Sequence, residues 1–332
     1  ENGYSLYIGI PFCPTTCLYC SFTSFPIVKW EKRMDLYKEA LFKEMEYVAE
    51  QMKDRPLSTI YFGGGTPTSL NPQDLDEILT KVEELFPVEQ AVEFTVESGR
   101  PDSITREKLQ VLRNHGISRI SINPQTMKQA TLDLIGRRHT VEDVKEKFLL
   151  ARELGFDNIN MDLIVGLPEE TIDDVRQTME EIKALRPDSV TVHSLAIKRA
   201  ARLNIYKERY GNLKIVNTQE MIDLTAQYAE EMGLKPYYLY RQKNMAGNFE
   251  NVGYAELDKA GIYNILIMEE KQTILAAGAG ASTKILLKDP IRTDSGKEIN
   301  LVRCENVKNI MEYIDRVDEM IERKRKGINT WL

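Results

Sequence analysis

Short apolar runs alternate with longer amphipathic segments through about the first 200 residues of the chain. The clearest amphipathic segment extends from Trp30 to Met52, with apolar side chains at three- and four-residue spacing, which predicts a helix. Similar patterns predict helices over Gln73–Leu85, Ile104–Asn114, Val141–Leu154 and Ile172–Leu185. The apolar runs predict strands at Leu6–Ile10, Thr59–Phe62, Val92–Val96, Arg119–Ile122, Asn158–Ile164 and Ser189–Val192.

This repeated strand–helix alternation is typical of parallel strands joined by helical crossovers. A doubly wound sheet and a barrel both fit it, and the six predicted units are fewer than the eight of a complete barrel. After about residue 200 the pattern changes to a helix at Thr218–Met232, strands at Tyr237–Tyr240, Ile262–Met268 and Thr273–Ala276, and a helix at Val307–Arg325. We therefore predict an α/β core over residues 1–205 and a smaller mixed α+β domain over residues 206–332.

Composition narrows the class of protein. Hydrophobic residues make up 42% of the 332 residues, which is enough to form a core. The 44 Lys and Arg against 51 Asp and Glu give a net charge of −7, which argues against nucleic-acid binding through a broad basic surface. No uncharged apolar run of ~18 residues predicts a membrane span. The chain begins Glu1-Asn2-Gly3 without a methionine or a signal-peptide pattern, as expected of a processed or truncated piece of a longer chain.

Three of the four cysteines, Cys13, Cys17 and Cys20, follow the first predicted strand directly. Three thiolates on one short loop can hold three irons of a four-iron cluster and leave the fourth iron open to another ligand. A zinc site completed by a distant histidine or by Cys304 is the alternative. A third interpretation is that the cysteines serve only in packing. The spacing does not resemble a secreted disulfide framework, which favours a reducing, cytoplasmic compartment.

Further candidate groups lie at the ends of other predicted strands. The run Gly63-Gly64-Gly65-Thr66-Pro67 ends the second strand, where glycines allow the backbone to approach a ligand closely, although such a run is more often a plain turn. Glu97 ends the third strand, and Asp162 lies inside an apolar strand, where a carboxylate needs a partner. Because parallel strands end at one face of a sheet, we expect these groups to lie near the cysteines.

The cysteine spacing, Cys-x3-Cys-x2-Cys with Tyr19 before the last cysteine, resembles the signature of radical S-adenosylmethionine enzymes. Three longer segments, residues 7–13, 61–68 and 161–168, extend the likeness in the same order. Together they resemble the oxygen-independent coproporphyrinogen III oxidase family, also called coproporphyrinogen dehydrogenases. The resemblance covers residues 5–200 well and continues more weakly to about residue 285.

The resemblance implies a partial (β/α)6 TIM-like barrel that holds a 4Fe-4S cluster on Cys13, Cys17 and Cys20, the residues on which the chemistry depends. It also implies S-adenosylmethionine as cofactor, as one molecule or, in the best-studied branch, two. The cofactor contacts that it implies are Tyr7, Tyr19, Gly64, Gly65, Thr66, Glu97, Gln125, Arg137, Asp162 and Ala196. With two molecules, Tyr7, Gly64 and Glu97 would form one group, and Gly65, Thr66, Gln125, Arg137 and Asp162 the other.

The activity implied is oxidative decarboxylation of coproporphyrinogen III propionates to vinyl groups by a 5′-deoxyadenosyl radical, giving protoporphyrinogen IX in heme biosynthesis. An electron donor such as flavodoxin or ferredoxin would reduce the cluster. Because the tetrapyrrole substrate carries four carboxylates, its site needs cations. The candidates are Lys198, Arg199, Arg202, Arg241 and Lys243.

Two other functions remain open. A related branch of the family is a heme chaperone, which typically carries a His-Asn-x-x-Tyr-Trp motif. The corresponding residues 241–245, Arg-Gln-Lys-Asn-Met, lack the histidine and the tryptophan, which favours the enzyme. A radical enzyme acting on another tetrapyrrole is the second. The chain also departs from the family at Gly9, where a histidine is frequent, at Phe22, where one branch has a fourth cysteine, and at Asn123-Pro124, where Gly-Val is usual.

Overall fold

The computed structural model describes residues 3–20, 24–196, 212–240, 246–293 and 296–332. Its central feature is one sheet of eleven strands in the order β13-β12-β11-β1-β4-β5-β6-β7-β8-β10-β9. These strands are β1 (Tyr4–Ile10), β4 (Leu57–Gly64), β5 (Glu93–Glu97), β6 (Arg119–Ser121), β7 (Ile159–Val165), β8 (Ser189–Ser194), β9 (Lys235–Tyr240), β10 (Asn251–Ala255), β11 (Thr273–Ala277), β12 (Ser282–Arg292) and β13 (Glu298–Glu305). The two-residue strands β2 (Phe12–Cys13) and β3 (Phe25–Pro26) pair beside it.

The middle of the sheet is parallel, and both of its edges are antiparallel. Strands β11, β1, β4, β5, β6, β7 and β8 run in one direction. Strands β10 and β9 add antiparallel pairs at one edge, and β12 and β13 at the other. Within the described part of the chain, β9 and β13 do not pair with each other. The prediction of an α/β partial barrel is therefore confirmed.

Helices connect the parallel strands, as the alternation predicts. They are α1 (Met34–Met52), α2 (Pro72–Leu85), α3 (Arg106–Asn114), α4 (Gln129–Leu134), α5 (Val141–Glu153), α6 (Ile172–Leu185), α7 (Gln219–Glu231), α8 (Ile262–Met268), α9 (Ile310–Asp315) and α10 (Val317–Trp331). Helices α2 and α3 begin at a capping residue: the Asn71 side chain accepts from the N–H of Asp74, and the Thr105 side chain accepts from the N–H of Lys108.

Alternation along the strands separates the core from the cavity. Leu6, Ile8 and Ile10 of β1 are buried in the same apolar cluster as the α1 side chains Tyr37 and Leu41. Tyr7 lies between Leu6 and Ile8 on the same strand. Because successive side chains of a strand point to opposite faces, Tyr7 faces away from that cluster. The helices thus cover one face of the sheet, and the other face lines the candidate site.

Two predictions after residue 200 are wrong. Ile262–Met268 is helix α8 and not a strand, because the Glu93 carboxylate accepts hydrogen bonds from the backbone N–H groups of Ile262 (2.6 Å) and Tyr263 (3.2 Å) and so caps the first turn. The single helix predicted over Val307–Arg325 is divided into α9 and α10, because Arg316 between them has non-helical backbone angles.

The predicted boundary between residues 205 and 206 lies outside the described residues and stays a prediction. Strands from the C-terminal side of that boundary extend both edges of the central sheet, since β10 pairs with β8 and β11 pairs with β1. Among the described residues, no helix has the length and apolarity needed to cross a membrane.

Candidate functional site

One cavity of about 590 Å³ opens along the inner face of the sheet, a size common for small-molecule sites. Every site residue predicted from the sequence lines it: Cys13, Cys17, Cys20, Tyr7, Tyr19, Gly64, Gly65, Thr66, Glu97, Gln125, Arg137, Asp162 and Ala196. The structure therefore brings these residues together, while the role of each stays a prediction. The cation candidates Lys198, Arg199, Arg202, Arg241 and Lys243 lie outside the described residues.

The cysteine loop is held against the glycine run at the end of β4. The N–H of Gly65 donates to the Ile10 carbonyl (2.8 Å), and the N–H of Thr66 donates to the Phe12 carbonyl (2.7 Å). A Cβ on Gly65 would lie 2.5 Å from the Phe12 carbonyl oxygen, so only glycine allows this approach. As a result, the Thr66 hydroxyl lies 3.4 Å from the Cys13 sulfur.

A buried arginine serves the cysteine end of the cavity. Nη1 of Arg100 donates to the Cys17 sulfur (3.3 Å) and to the Thr15 carbonyl (3.0 Å). Asp102 holds the same guanidinium through two hydrogen bonds, of 3.0 and 2.8 Å. Hydrogen bonds to sulfur and a nearby positive charge both stabilise a negatively charged thiolate or cluster.

Burial disfavours ionisation of the Cys13 thiol. It raises the pKa of Cys13 to about 11, with the neighbouring Cys20 and Cys17 adding to the shift and the Thr66 hydrogen bond opposing it. None of the four cysteines forms a disulfide. Iron binding would supply the positive charge that deprotonates such thiols.

The two predicted acids differ in protonation. Burial raises the pKa of Glu97 to about 7, although the Tyr61 hydroxyl opposes this shift by donating to Oε1 at 2.5 Å. Burial alone would also raise the pKa of Asp162, but hydrogen bonds from His193, Asn160 and Thr191 lower it below its ordinary value. Asp162 is therefore a stable anion, whereas Glu97 changes charge near neutral pH.

Several buried polar atoms along the cavity have no hydrogen-bond partner within the described part of the chain. They are Oε1 of Gln125, Nε of Arg137, Oγ of Ser121 and Nε of Arg119. Gln125 also holds a positive φ of 70°, an uncommon conformation for a residue other than glycine that is often found at functional sites. Since buried polar groups are normally paired, these atoms indicate that a polar ligand completes the site.

Sequence reasoning missed some cavity residues. Arg119, Asn160 and His193 lie on strands and line the cavity, and polar side chains within apolar strands were the available signal. Arg100 lies in a loop and offered no such signal. The wrong strand prediction hid the cavity residues of α8, which are Asn264, Ile267 and Met268. The neighbouring Tyr263 ring stacks on the cavity residue Tyr61, with centroids 4.4 Å apart.

These observations fit the cofactors that the resemblance implies. Three thiols from one loop, a donor to sulfur and a buried cation suit an anionic iron–sulfur cluster. Among the residues the structure covers, no three His, Cys, Asp or Glu side chains are grouped around a position for a single metal ion. The carboxylate of Asp162 and the ionisable Glu97 suit a ligand carrying positive charge, as the sulfonium and ammonium groups of S-adenosylmethionine do.

Comparisons with known proteins agree. The radical SAM superfamily model matches residues 7–182. The oxygen-independent coproporphyrinogen-III oxidase-like protein HemZ of Bacillus subtilis is 44% identical over 98% of this chain and 64% of its own length. The heme chaperone HemW of Bacillus subtilis is 36% identical over 58% of this chain and 51% of its own length.

The fold is also that of a solved structure. Coproporphyrinogen III oxidase (HemN) from Escherichia coli, described as a radical SAM enzyme, superimposes with a TM-score of 0.75 and 23% identity, over 97% of this chain and 70% of that chain. The chain thus spans about two-thirds or less of the lengths of the two curated relatives. The chain belongs to the radical SAM superfamily and is homologous to its coproporphyrinogen III oxidase-like proteins.

Proposed function

We propose that this chain catalyses the oxygen-independent oxidative decarboxylation of coproporphyrinogen III propionates to vinyl groups, giving protoporphyrinogen IX in heme biosynthesis. The observation that carries the proposal is that the cysteine loop, the glycine run and the two acids line a single cavity. The four cysteines, none in a disulfide, suit a reducing cytoplasm. An electron donor of the flavodoxin or ferredoxin class would act as partner.

In this proposal, Cys13, Cys17 and Cys20 hold the cluster, and Arg100 balances its charge through the Cys17 sulfur. Glu97 and Asp162 bind the positive groups of S-adenosylmethionine, while Gln125 and Arg137 offer it the polar atoms that lack a partner. When bound, the cluster and S-adenosylmethionine would supply a 5′-deoxyadenosyl radical for removal of a hydrogen atom from the substrate propionate, which would become a vinyl group by losing carbon dioxide and passing one electron to an external electron acceptor. The protein orients both ligands and excludes water.

The test is anaerobic reconstitution with iron and sulfide, followed by a reduced assay with S-adenosylmethionine and coproporphyrinogen III and mass spectrometry of the products. We expect 5′-deoxyadenosine together with tetrapyrroles lighter by one and two formic-acid equivalents. Cys17→Ala should abolish both products. Cys304→Ala is the matched control, because Cys304 lies on β13 and does not line the cavity.

Other outcomes would point elsewhere. 5′-Deoxyadenosine without decarboxylation would refute this substrate and retain the radical chemistry, as for an enzyme acting on another tetrapyrrole. Stable heme binding without cleavage of S-adenosylmethionine would replace the proposal with a heme-chaperone function, which the similarity to HemW keeps as the second candidate. The stretch 241–245, which lacks the chaperone motif, lies outside the described residues.

A further inference from the structure

The basic side chains of the cavity differ in how fully they are engaged. Arg100 is bound to Asp102, and His193 lies 3.4 Å from the Asp162 carboxylate. Arg137 donates to the carbonyls of Asn123 (2.6 Å) and Gly99 (3.3 Å) and to the Tyr19 hydroxyl, and the buried Arg119 donates to Ser189. The remaining two basic residues of the lining are Lys284 and Arg303, and their side chains form no hydrogen bond or ion pair within the described ranges.

Lys284 and Arg303 are also direct neighbours. They are register partners in the antiparallel pair β12–β13, where opposed Cβ atoms lie roughly 4.5–5.5 Å apart. Like charges directly opposite each other destabilise a sheet. Burial and the Arg303 charge lower the pKa of Lys284, which agrees with this arrangement. Because Lys284 is half-buried and Arg303 is exposed, solvent screens part of this repulsion, and an anion between the two side chains would relieve the rest.

Both side chains point towards the cavity. Their neighbours Ile285 and Cys304 point to the opposite face, where a Cβ on Gly327 of α10 would lie 3.1 and 2.5 Å from them. Alternation then places Lys284 and Arg303 on the inner face, in agreement with the lining of the cavity. The acids with the strongest influence on Lys284 are Glu270 and Glu305, and neither forms an ion pair with it.

Lys284 and Arg303 also lie apart from the two predicted acids along the sheet. Glu97 and Asp162 lie on β5 and β7, and Lys284 and Arg303 lie on β12 and β13, on the far side of β11, β1 and β4. Both parts of the lining carry charges of both signs, since Arg119 lies on β6 between the two acids and Glu270 acts on Lys284, but the two cations whose side chains lack a partner among the described residues lie together at the β12–β13 end. One cavity can therefore hold a sulfonium cofactor and a carboxylate-bearing substrate with each near its complementary charges.

We propose that Lys284 and Arg303 bind a carboxylate of the substrate and select for substrates with several carboxylates. This inference rests on the proposed function for the identity of the substrate. Arg303 offers a planar fork that matches a carboxylate, and Lys284 adds a compact charge on the other side. These residues replace none of the cofactor contacts; they determine which tetrapyrrole binds beside the cofactor.

The test is equilibrium binding of coproporphyrin III, the stable oxidised tetracarboxylate, to the cluster-reconstituted protein by fluorescence titration. Lys284→Gln and Arg303→Gln should each weaken binding on the order of tenfold, as expected for loss of one charge-assisted hydrogen bond. Lys288→Gln is the matched control, because Lys288 is an exposed cation on β12 outside the cavity lining. The tetramethyl ester of coproporphyrin III should bind the wild type and both variants equally.

A stability measurement separates binding from folding. Because the two cations repel each other, Lys284→Gln should unfold at the same temperature as the wild type or higher, while it binds coproporphyrin III less tightly. Lys284→Arg should retain the binding. Unchanged coproporphyrin III binding in both glutamine variants, an equal loss of ester binding, or no binding by the wild type would overturn the proposal.

The result is distinguishable from that of the decarboxylation assay. If the wild type binds coproporphyrin III through Lys284 and Arg303 but releases no lighter tetrapyrrole, the carboxylate site stands and the decarboxylase function fails. If decarboxylation occurs and both glutamine variants bind coproporphyrin III like the wild type, the function stands and the carboxylate site fails.

Discussion

The Tyr61 hydroxyl donates a 2.5 Å hydrogen bond to the Glu97 carboxylate, and the Tyr61 ring stacks on Tyr263 at the same time. The Tyr7 ring lies beside both, with its centroid 6.1 Å from that of Tyr61 and 6.4 Å from that of Tyr263, so the three rings hold the hydroxyl in place together. Two opposing effects therefore act on the pKa of Glu97: burial raises it to about 7, and this hydrogen bond limits the rise. We expect the charge of Glu97 to change when either effect is altered, and the binding of a cation that depends on this charge to change with it.

Tyr61→Phe should raise the pKa of Glu97 above about 7, because burial remains and the hydrogen bond that opposes it is lost. The fraction of Glu97 that is ionised at pH 7 then falls, and S-adenosylmethionine should bind several-fold more weakly there, with the difference shrinking towards pH 9. Calorimetric titration of the reconstituted protein between pH 6 and 9 measures this. Tyr254→Phe, a buried tyrosine outside the cavity lining, should leave the pH profile unchanged. An unshifted profile in Tyr61→Phe would contradict the role of this hydrogen bond.

The stability of the ligand-free protein should also depend on Glu97. The folded pKa of about 7 lies above the ordinary value of 4.5, so the folded state binds the proton more tightly than the unfolded state. Stability is therefore lost as the pH rises from 4.5 through 7. Glu97→Gln should melt at a higher temperature than the wild type at pH 8 and at the same temperature at pH 4, as measured by thermal unfolding. A constant difference across this range would show that Glu97 does not titrate as inferred.

Arg100 should set the reduction potential of the cluster. Its hydrogen bond to the Cys17 sulfur and its positive charge favour the reduced form of the cluster, which is the more negative one. Arg100→Gln should therefore lower the potential by tens of millivolts, since a tenfold change in the stability of the reduced relative to the oxidised cluster shifts it by roughly 60 mV. Asp102→Asn should shift the potential the opposite way, because it removes the acid that neutralises Arg100. A redox titration followed by EPR measures both. Equal shifts of the same sign would mean that the variants act by disordering the loop.

The alternation of strands and helices in the parallel core could be predicted because each strand–helix unit carries its own periodicity. The cysteine loop and the acids could be placed because parallel strands end at one face. Helix α8 could not be predicted, because a run of apolar and β-branched residues such as Ile262–Met268 favours a strand. Its helical form depends on the Glu93 carboxylate, which lies 169 residues before Ile262 in the chain. Tertiary contact decided this case against local preference.

The two antiparallel edges show the same limit. The pairing of β12 with β13 opposes Lys284 to Arg303, a combination that a sequence pattern would disfavour. Arg100 belongs to a loop, where no hydrophobic periodicity identifies it. Its contacts with Thr15 and Cys17 depend on how the loop after β5 packs against the loop after β1. The roles assigned from the resemblance stay predictions, whereas the fold and the superfamily are established.

The last prediction concerns the buried ion pair between Lys324 of α10 and Glu44 of α1, both almost fully enclosed. Glu44 also accepts from the N–H of Gly278 (2.9 Å) and from Asn306 (2.7 Å), so this pair fixes the loop between β11 and β12 to the helices. That loop abuts β1, since a Cβ on Gly278 would lie 2.4 Å from the Gly9 carbonyl. The pair therefore links the C-terminal helix to the strand that carries the cysteine loop.

Lys324→Met should lower the free energy of unfolding by about 3–5 kcal/mol, because it leaves Glu44 charged and buried without its cation. The double variant Glu44→Gln/Lys324→Met should recover much of that loss, since no uncompensated charge remains. Urea unfolding of the wild type, the single variant and the double variant measures both effects. Lys326→Met is a suitable control, as Lys326 is an exposed lysine on the same helix. If the double variant were as unstable as Lys324→Met alone, the pair would contribute through its packing and its hydrogen bonds rather than through the balance of charge.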